Sequence, residues 1–380
     1  MKVGIALVLT SLLCICCNGQ VVEKCRTDTF PPPDDTKLST VVVNLNKAPE
    51  HRWDEAITPY KADIVSLIET ITDNVNKYVL EVADIAFDLL LQTLPDPYKS
   101  EIKGVAKILG LPEGQVVLYN IFYELFTVCT SIIEEDSNGQ LYHARNLDFG
   151  LFLGWDNAND TWLMSERLRK IVVNIDFQRD GKTVYQSASF LGYVGLLTAV
   201  KQPLFTLTIN ERFNKEGGFV GIYRWILGNR NAKWMGFLTR DVMESANSYS
   251  EAKHMLSTQE LLAPAYYILG GNSTGEGVII TRGLNGVEDY QELNITSGRW
   301  FLLQTNYDPW DEAPFFDDRR TPGNMCVKQW GQENVGYKSL FNVLSTKPNL
   351  NKLTVYSTVM TVRGDIQSWL QQCKTPCTPW

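Results

Sequence analysis

The sequence predicts an α+β protein in which two antiparallel β-sheets face each other and helices cover their outer surfaces. Three observations lead to this prediction. Apolar residues recur at helical spacing from Asp54 to Leu125. After Cys129 the pattern changes to short runs of β-branched and alternating residues. The pairs Asn138-Gly139 and Asp180-Gly181 between these runs are typical of tight hairpin turns.

The N-terminal region is predicted to be mainly helical. Its first apolar stripe advances in steps of three and four until Pro95 and Pro97 interrupt it, and further helices are expected from about Tyr98 to Leu109 and from Pro112 to Phe126. Such a stripe is typical of core packing. The two roles are not exclusive, and we predict that this apolar surface, with Trp and Phe side chains near the site, also receives an acyl chain and contacts membranes. The stripe comprises Ile64, Ile68, Ile71, Val75, Tyr78, Val82, Ile85 and Leu89.

The region after Cys129 is predicted to contain most of the strands. Turn residues separate the strands from one another and from two helical stretches. The predicted strands are Thr130–Ile133, Gln140–Asn146, Ile171–Gln178, Thr183–Phe190, Leu204–Ile209, Ala265–Leu269, Gly277–Thr281, Arg299–Asn306 and Thr354–Val362, and the predicted helices are Tyr223–Met255 and Ser339–Leu344.

The first residues are typical of a secretory signal peptide. Lys2 precedes an apolar run from Val3 to Leu13, and Cys17-Asn18-Gly19 suits cleavage before Gln20, so residues 1–19 are expected to be removed. No later stretch has the roughly 20 uncharged apolar residues that a spanning helix needs. Three N-glycosylation triplets agree with a lumenal protein; they begin at Asn159, Asn272 and Asn294.

The composition excludes several classes of partner. A net charge of -8 and a pI near 5.1 argue against nucleic acid and against simple electrostatic attraction to anionic lipid. No metal-ligand spacing of Cys, His or carboxylate residues occurs. We therefore expect neither a metal nor an organic cofactor.

The cysteine count indicates one unpaired thiol. Three of the eight cysteines lie in the signal segment, which leaves five in the mature chain. An odd number in an oxidising compartment leaves an intermolecular link or a free thiol. Cys129 lies in the apolar stretch Phe126-Thr127-Val128-Cys129-Thr130 and is the candidate free thiol. The alternative is a buried structural cysteine.

The histidines do not suit a papain-type mechanism. His51 and His254 lie in polar or charged segments, and His143 alternates with its neighbours along a predicted strand. A nucleophile can instead use its own α-amine as the base once the preceding peptide bond is cut, because that amine has a pKa near 8. The hypothesis is a cut between Val128 and Cys129, giving a helical chain of residues 20–128 and a catalytic chain of residues 129–380.

The hairpin around Asn138-Gly139 makes a testable prediction about the site. A two-residue turn pairs Ser137 with Gln140 and places Cys129 opposite Asp148. The same count places the Arg145 side chain on the strand face opposite to that of Cys129. A bulge would then be needed to bring Arg145 to the face of Cys129.

Several motifs together resemble the acid ceramidase family, in the choloylglycine-hydrolase-like group of N-terminal-nucleophile enzymes. The resemblance covers the mature chain from about Cys25 to Trp380. It implies an αββα sandwich and hydrolysis of the ceramide amide at acidic pH. The motifs are Asn120 to Phe126, Cys129 to Ile132, Arg145 to Gly150, Leu153 to Trp155, Asn210 to Phe213, Ala263 to Tyr266, Gly270 to Asn272, Gln304 to Asp308 and Asp317 to Pro322.

The resemblance also implies roles for particular residues. Cys129 would be the nucleophile, flanked by Arg145 and Asp148. Asn306 would donate to the oxyanion and Arg319 would support the site. Glu211 is a weaker candidate for self-cleavage or site organisation. The alternatives are structural ion pairs for the two arginines and a turn-capping amide for Asn306.

Further implications concern partners and location. The family suggests the disulfides Cys25–Cys326 and Cys373–Cys377, the first joining the two chains. Four cysteines allow three pairings, so the sequence alone does not choose between them. The implied partners are ceramide at a membrane surface and a saposin-type activator, in the lysosome or after secretion. One rival function is N-acylethanolamine amide hydrolysis, disfavoured by the segment Leu151 to Trp162. The other is non-catalytic lipid binding.

Overall fold

Two β-sheets lie face to face in a computed structural model of the protein, which describes residues 21–73, 87–122, 127–149, 154–213, 221, 224–225 and 227–377. The strands are β1 Thr40–Asn44, β2 Thr127–Glu135, β3 Leu141–Phe149, β4 Trp155–Asp156, β5 Thr161–Trp162, β6 Val172–Arg179, β7 Lys182–Phe190, β8 Thr198–Lys201, β9 Phe205–Glu211, β10 Ala265–Gly270, β11 Gly277–Arg282, β12 Val287–Glu292, β13 Phe301–Gln304, β14 Thr354–Met360 and β15 Gln367–Leu370.

The larger sheet has the order β1-β6-β7-β8-β9-β10-β11-β12 and the smaller one the order β13-β2-β3-β14-β15. All described neighbouring strands are antiparallel except β1 and β6, which are parallel. The predicted pair of sheets is confirmed. The fully antiparallel pairing is corrected, because the N-terminal region contributes β1 to the edge of the larger sheet.

The helices pack around the sheets. Their bounds are α1 Asp54–Ile57, α2 Lys61–Asp73, α3 Tyr98–Leu109, α4 Glu113–Phe122, α5 Leu163–Arg169, α6 Met235–Ser245, α7 Tyr249–Thr258, α8 Arg320–Trp330 and α9 Tyr337–Ser345. Residues 87–93 are also helical. The predicted helix Tyr223–Met255 is instead divided into α6 and α7, because Ser248 caps the N-terminus of α7 by accepting from the Glu251 N–H.

The apolar stripe of the first predicted helix belongs mostly to the core. Ile64, Ile68 and Ile71 are at most 3% exposed, whereas Leu89 is 66% exposed. Val75, Tyr78, Val82 and Ile85 lie outside the described residues. The hypothesis that Ile68 and Ile71 contact a membrane is therefore wrong, and α2 uses them to pack against the main hydrophobic core. Among the described residues, no helix is long and apolar enough to cross a bilayer.

A buried charge network joins the N-terminal region to the larger part of the chain. Glu101 on α3 is fully buried and accepts from Arg52 (2.9 Å), from the Trp53 indole (2.7 Å) and from both terminal nitrogens of Arg240 (2.5 and 2.7 Å). Arg240 lies on α6, beyond the proposed cut. This network therefore connects the two predicted chains independently of any disulfide.

We expect Glu101→Ala to lower the free energy of unfolding by about 3–5 kcal/mol, because it leaves Arg240 buried without its main partner. Urea unfolding followed by tryptophan fluorescence measures this. Glu69→Gln is the control, since Glu69 is an exposed helical carboxylate. A loss below about 1 kcal/mol for Glu101→Ala would contradict the assigned role of the network.

A second buried carboxyl group, that of Glu134, lies on β2. Glu134 is 2% exposed, and its cross-strand neighbours are Phe301 on β13 and Tyr142 on β3. Burial raises the pKa of Glu134 to about 8 from the ordinary 4.5. Folded protein then keeps this proton between those two pH values, whereas unfolded protein releases it, so stability falls as the pH rises through this interval.

We expect Glu134→Gln to remove this pH dependence. Wild-type protein should lose roughly 3 kcal/mol of stability between pH 4.5 and 7 through this one group, and the variant should retain that amount. Thermal unfolding of both proteins at the two pH values measures the difference, with exposed Glu333→Gln as the control. Equal pH dependence in all three proteins would show that Glu134 ionises freely in the fold.

Both predicted disulfides are present. Cys25 is bonded to Cys326 and Cys373 to Cys377, while Cys129 is free and buried. Cys326 lies on α8, so the first disulfide ties the N-terminal segment to the helix that follows Arg319. The predicted free thiol is thereby confirmed.

Candidate active site

The β2-β3 hairpin sets the geometry of the site, and its register differs from the prediction by one residue. Asp136 and Gln140 close a three-residue loop, with the Asp136 N–H donating to the Gln140 carbonyl (3.0 Å). The Asp136 carboxylate also accepts from the N–H groups of Asn138 and Gln140, and Gly139 has a positive φ of 81°. The expected two-residue turn is therefore wrong.

This shift changes which side chains lie beside Cys129. Cys129 is opposite Leu147, not Asp148, which is opposite Val128. Because successive side chains alternate between faces, Arg145 lies on the same face as Cys129 without any bulge. The predicted opposite placement of Arg145 is corrected, and the Arg145 Nη2 contacts the Cys129 Sγ at 2.5 Å.

Arg145 is held from the facing sheet. Its Nη1 donates to the Leu197 carbonyl (2.5 Å) and to the Thr198 hydroxyl (3.0 Å), and Thr198 in turn is hydrogen-bonded to the Tyr356 hydroxyl (2.9 Å). Among the described residues, Arg145 has no ion pair with a carboxylate. The guanidinium is thus positioned by neutral acceptors and keeps its charge available to the sulfur.

Asp148 lies on the opposite face of the smaller sheet. Its carboxylate accepts from the Thr354 hydroxyl (2.6 Å) and the Asn351 amide (3.0 Å) and lies 3.6 Å from Arg319. Burial raises the pKa of Asp148 to about 6, although Arg319 and these hydrogen bonds oppose the shift. The Asp148 side chain is therefore connected to Cys129 through Arg319 and not by lying opposite it in the hairpin, and its catalytic role stays a prediction.

Arg319 connects the other groups of the site. It forms a two-pronged ion pair with Asp317 (2.7 and 2.8 Å). The same guanidinium donates to the main-chain oxygen of Cys129 (2.6 Å) and to the Asn306 side-chain oxygen (2.8 Å). Arg319 thus forms an ion pair and also contacts Cys129, and its role in the site stays a prediction.

Asn306 contacts the nitrogen that the proposed cut would release. Its Oδ1 accepts from the Cys129 N–H at 2.8 Å, and its Nδ2 donates to the main-chain oxygen of Glu211 at 2.8 Å. Glu211 ends β9 and enters the site through this oxygen. The amide thus fixes Cys129 N relative to β9, and the oxyanion role of Asn306 stays a prediction.

The Cys129 thiol is fully buried in the intact chain. Burial raises the pKa of the Cys129 thiol, and the positive charges of Arg145 and Arg319 oppose this rise while Asp148 adds to it. The backbone N–H of Asp148 also favours the thiolate. The site can therefore stabilise a sulfur anion by oriented donors, but only after something takes the proton.

No histidine is placed to take that proton. His143 lies four residues from Leu147 along β3, roughly 13 Å away, and both its ring nitrogens are bonded to the hydroxyls of Thr206 and Thr208. Burial, together with the charge of Arg145, lowers the pKa of His143 to about 3. The other two histidines of the sequence are exposed, as predicted.

Several residues of the site were not identified from the sequence. They are Thr198, Asp317, Asn351, Thr354 and Tyr356, which orient the charged groups. Four of them carry no local signal, because they reach the site only through strand pairing or loops distant in sequence. Asp317 was visible within the Asp317 to Pro322 motif, where its spacing from Arg319 could have suggested the ion pair.

The predicted glycosylation sites lie on the surface. Asn159, Asn272 and Asn294 are exposed, so each is accessible for glycosylation, which stays a prediction. Within the described part of the chain, no group of three or more His, Cys, Asp or Glu residues could hold a metal ion.

Comparison with known proteins gives the family. Residues 129–367 match the family described as linear amide C–N hydrolases, choloylglycine hydrolase family. Residues 36–94 match the beta subunit of N-acylethanolamine-hydrolyzing acid amidase. The two parts of the chain thus match two separate family models, and the first match begins at Cys129.

Individual relatives agree with this result. The chain is 45% identical to acid ceramidase of Homo sapiens over 389 residues, covering 99% of this chain and 98% of that protein. It is 44% identical to acid ceramidase of Bos taurus over 386 residues, covering 98% of each. The solved structure of the Caenorhabditis elegans N-acylethanolamine-hydrolyzing acid amidase ortholog is 32% identical, with a TM-score of 0.54, and covers 64% of this chain and 100% of that one. The chain therefore belongs to the choloylglycine hydrolase family of linear amide C–N hydrolases and, within it, to the acid ceramidase family.

Proposed function

We propose that the protein hydrolyses the amide bond of ceramide to sphingosine and a fatty acid, with Cys129 as the nucleophile after a cut between Val128 and Cys129. The observation that carries the proposal is the separate positioning of two Cys129 atoms. Arg145 contacts the sulfur at 2.5 Å, while Asn306 binds the nitrogen at 2.8 Å. A nucleophile that uses its own amine needs both atoms fixed in this way.

Cleavage would convert the closed site into an open one. In the intact chain, Val128 and Cys129 both belong to β2, and Cys129 is fully buried, so a lipid amide has no access to its sulfur. The change from helix to strand was predicted at the Val128–Cys129 bond, but β2 already begins at Thr127, so the predicted boundary is wrong by at least two residues. Removing the segment up to Val128 from its place in the sheet would uncover the nucleophile.

We propose that the cut uses the same groups. The Cys129 sulfur attacks the Val128 carbonyl carbon, the bond to the Cys129 nitrogen breaks, and the thiol proton passes to that nitrogen, which becomes a free amine. Water then hydrolyses the thioester, which leaves a carboxylate on Val128 and a thiol on Cys129. The Arg145 guanidinium favours this reaction because it stabilises the sulfur anion.

Turnover of ceramide would repeat this chemistry on another amide. The neutral α-amine of Cys129 takes the thiol proton, the thiolate attacks the ceramide carbonyl, and the proton passes to the departing sphingosine amine. Water releases the fatty acid from the thioester. The positive charges of Arg145 and Arg319 lower the pKa of a neighbouring amine, which favours its neutral form at acidic pH.

The two products of the cut would remain associated. Cys25 lies before the cut and Cys326 after it, so their disulfide covalently joins the two chains. The Glu101 network adds a non-covalent connection between them. We propose that this two-chain protein, released from its signal peptide, acts in the lysosome or after secretion on ceramide at membrane surfaces, with a saposin-type activator.

N-acylethanolamine hydrolysis is the second candidate, favoured by the matches to N-acylethanolamine-hydrolyzing acid amidases. Purified, cut protein should be given N-palmitoylsphingosine and N-palmitoylethanolamine in mixed micelles at pH 4.5. We expect the kcat/KM for the ceramide to be at least about tenfold higher, a difference of about 1.4 kcal/mol in transition-state stabilisation. The reverse preference would replace the proposed substrate, and turnover of neither would support a non-catalytic lipid-binding protein.

A further inference from the structure

A groove of about 780 Å³ lies outside the Cys129 site, between strand β13 and helix α8. All four residues of β13 line one wall, and Arg320, Asn324 and Lys328 line the wall formed by α8. Arg299 lies beside the start of the strand. Neither the catalytic mechanism nor the predicted lipid contacts involve this groove.

One wall of the groove is an unpaired sheet edge. β13 is the terminal strand of the smaller sheet, and β2 is its only strand neighbour among the described residues. The Trp300 carbonyl accepts from the Glu135 N–H at 2.8 Å. By the alternation of antiparallel pairs, Phe301 and Leu303 then direct their N–H and C=O groups away from β2. Phe301 is partly exposed and Leu303 is 7% exposed, so the accessible part of this edge begins at Phe301. Unpaired groups at a strand edge are a template for another strand.

The other wall carries a positive charge at each end, with the neutral Asn324 between them. Arg320, Asn324 and Lys328 are spaced four residues apart, which places them in one row about 12 Å long on α8. The four residues of β13 span about 13 Å, so the two walls match in length. Among the described lining residues there are three cations and no carboxylate, in a chain whose net charge is -8.

The charge of Arg320 is not neutralised by an acidic side chain of the described structure. Its guanidinium donates to the main-chain oxygens of Asp308 (2.9 Å) and Asp311 (2.5 Å) and lies 4.4 Å from the centre of the Tyr307 ring. Arg299 and Lys328 are exposed. Cations spread over about 12 Å suit an extended polyanion better than one compact anion, because each charge can meet a separate carboxylate.

We propose that this groove binds an extended acidic segment of another protein, which adds as a strand to the free edge of β13 and places its carboxylates against Arg299, Arg320 and Lys328. The main-chain bonds to β13 supply the register and the cations supply the charge specificity. Membranes and free phosphate do not offer a backbone that can pair with a strand edge.

The test uses the full two-chain protein and a fluorescein-labelled seven-residue peptide that alternates glutamate with valine. We expect saturable binding by fluorescence anisotropy at low salt. The double variant Arg299→Glu/Lys328→Glu should weaken binding at least about tenfold, because it reverses two of the three charges. Lys182→Glu/Lys374→Glu is the matched control, since it makes the same charge change at two exposed lysines outside the groove.

N-methylated peptides separate strand addition from simple charge attraction. Methylating only the glutamate nitrogens and methylating only the valine nitrogens block opposite edges of the peptide strand. One set should weaken binding at least about tenfold and the other should have little effect. The proposal would be overturned if both methylated sets had equal effects, or if both double variants lost binding equally. It would also be overturned if phosphatidylglycerol vesicles bound through Arg299 and Lys328 while the peptide did not bind.

Discussion

Cys129→Ala is expected to give a single uncut chain that hydrolyses ceramide at least about 1,000-fold more slowly than the wild type, because the variant lacks the atom that forms both thioesters. The variant also lacks the sulfur that Arg145 Nη2 contacts at 2.5 Å. Mass spectrometry and N-terminal sequencing report the cut, and sphingosine release reports turnover.

Two further variants make this result specific. Cys129→Ser keeps a weaker nucleophile in the same place, so cutting should be slowed but detectable. Cys373→Ser/Cys377→Ser removes sulfur atoms from a distant short loop and should leave cutting and turnover near wild-type levels. A Cys129→Ala chain that is still cut would require another protease, and one that still hydrolyses ceramide would require another nucleophile.

The free thiol could be predicted from the sequence because disulfide pairing depends on parity. Five cysteines lie after the predicted signal segment, which leaves at least one unpaired, and the apolar neighbours of Cys129 distinguish it from the other four. Helix α3 was predicted with its observed bounds because Pro97 precedes it and Gly110 ends it with a positive φ. Strong local signals thus sufficed for these features.

The hairpin register could not be obtained from its turn residues alone. Asn138-Gly139 favours a two-residue turn, but the Asp136 carboxylate accepts from two backbone N–H groups of the loop and stabilises a longer one. A shift of one residue exchanges the faces of a strand. The prediction consequently placed Asp148 beside Cys129 and Arg145 on the wrong face, although both residues belong to the site.

Long-range pairing accounts for the other differences. β3 pairs with β14 about 200 residues later in the chain, with an irregularity near Val355 that no local pattern reveals. This pairing brings Thr354 and Tyr356 to opposite sides of the site. The strand β1 is different, because the run Thr40-Val41-Val42-Val43 does favour a strand. No local pairing signal supports it, because its parallel partner β6 lies about 130 residues later in the chain.

Asn306→Ala is expected to lower the kcat/KM of cut protein by about 100-fold to 1,000-fold, the range typical of removing one positioned polar group from such a site. The substitution removes the acceptor of the Cys129 nitrogen and one partner of Arg319. Initial rates on ceramide micelles measure the loss. Asn334→Ala, at an exposed asparagine, is the control and should change kcat/KM by less than about twofold.

The variant Asn306→Asp distinguishes the two roles that this amide can have. Because its carboxylate would lie about 2.8 Å from the α-amine, it would stabilise the ammonium form and raise the pKa of the amine. Since only the neutral amine can take the thiol proton, the acidic limb of the kcat/KM profile should move about one to two units to higher pH. An oxyanion donor gives a different outcome, because losing Nδ2 would lower the rate equally at every pH without moving the limb. A shifted limb therefore identifies Asn306 as the residue that orients the amine, and a uniform loss identifies it as the donor that the family resemblance implies.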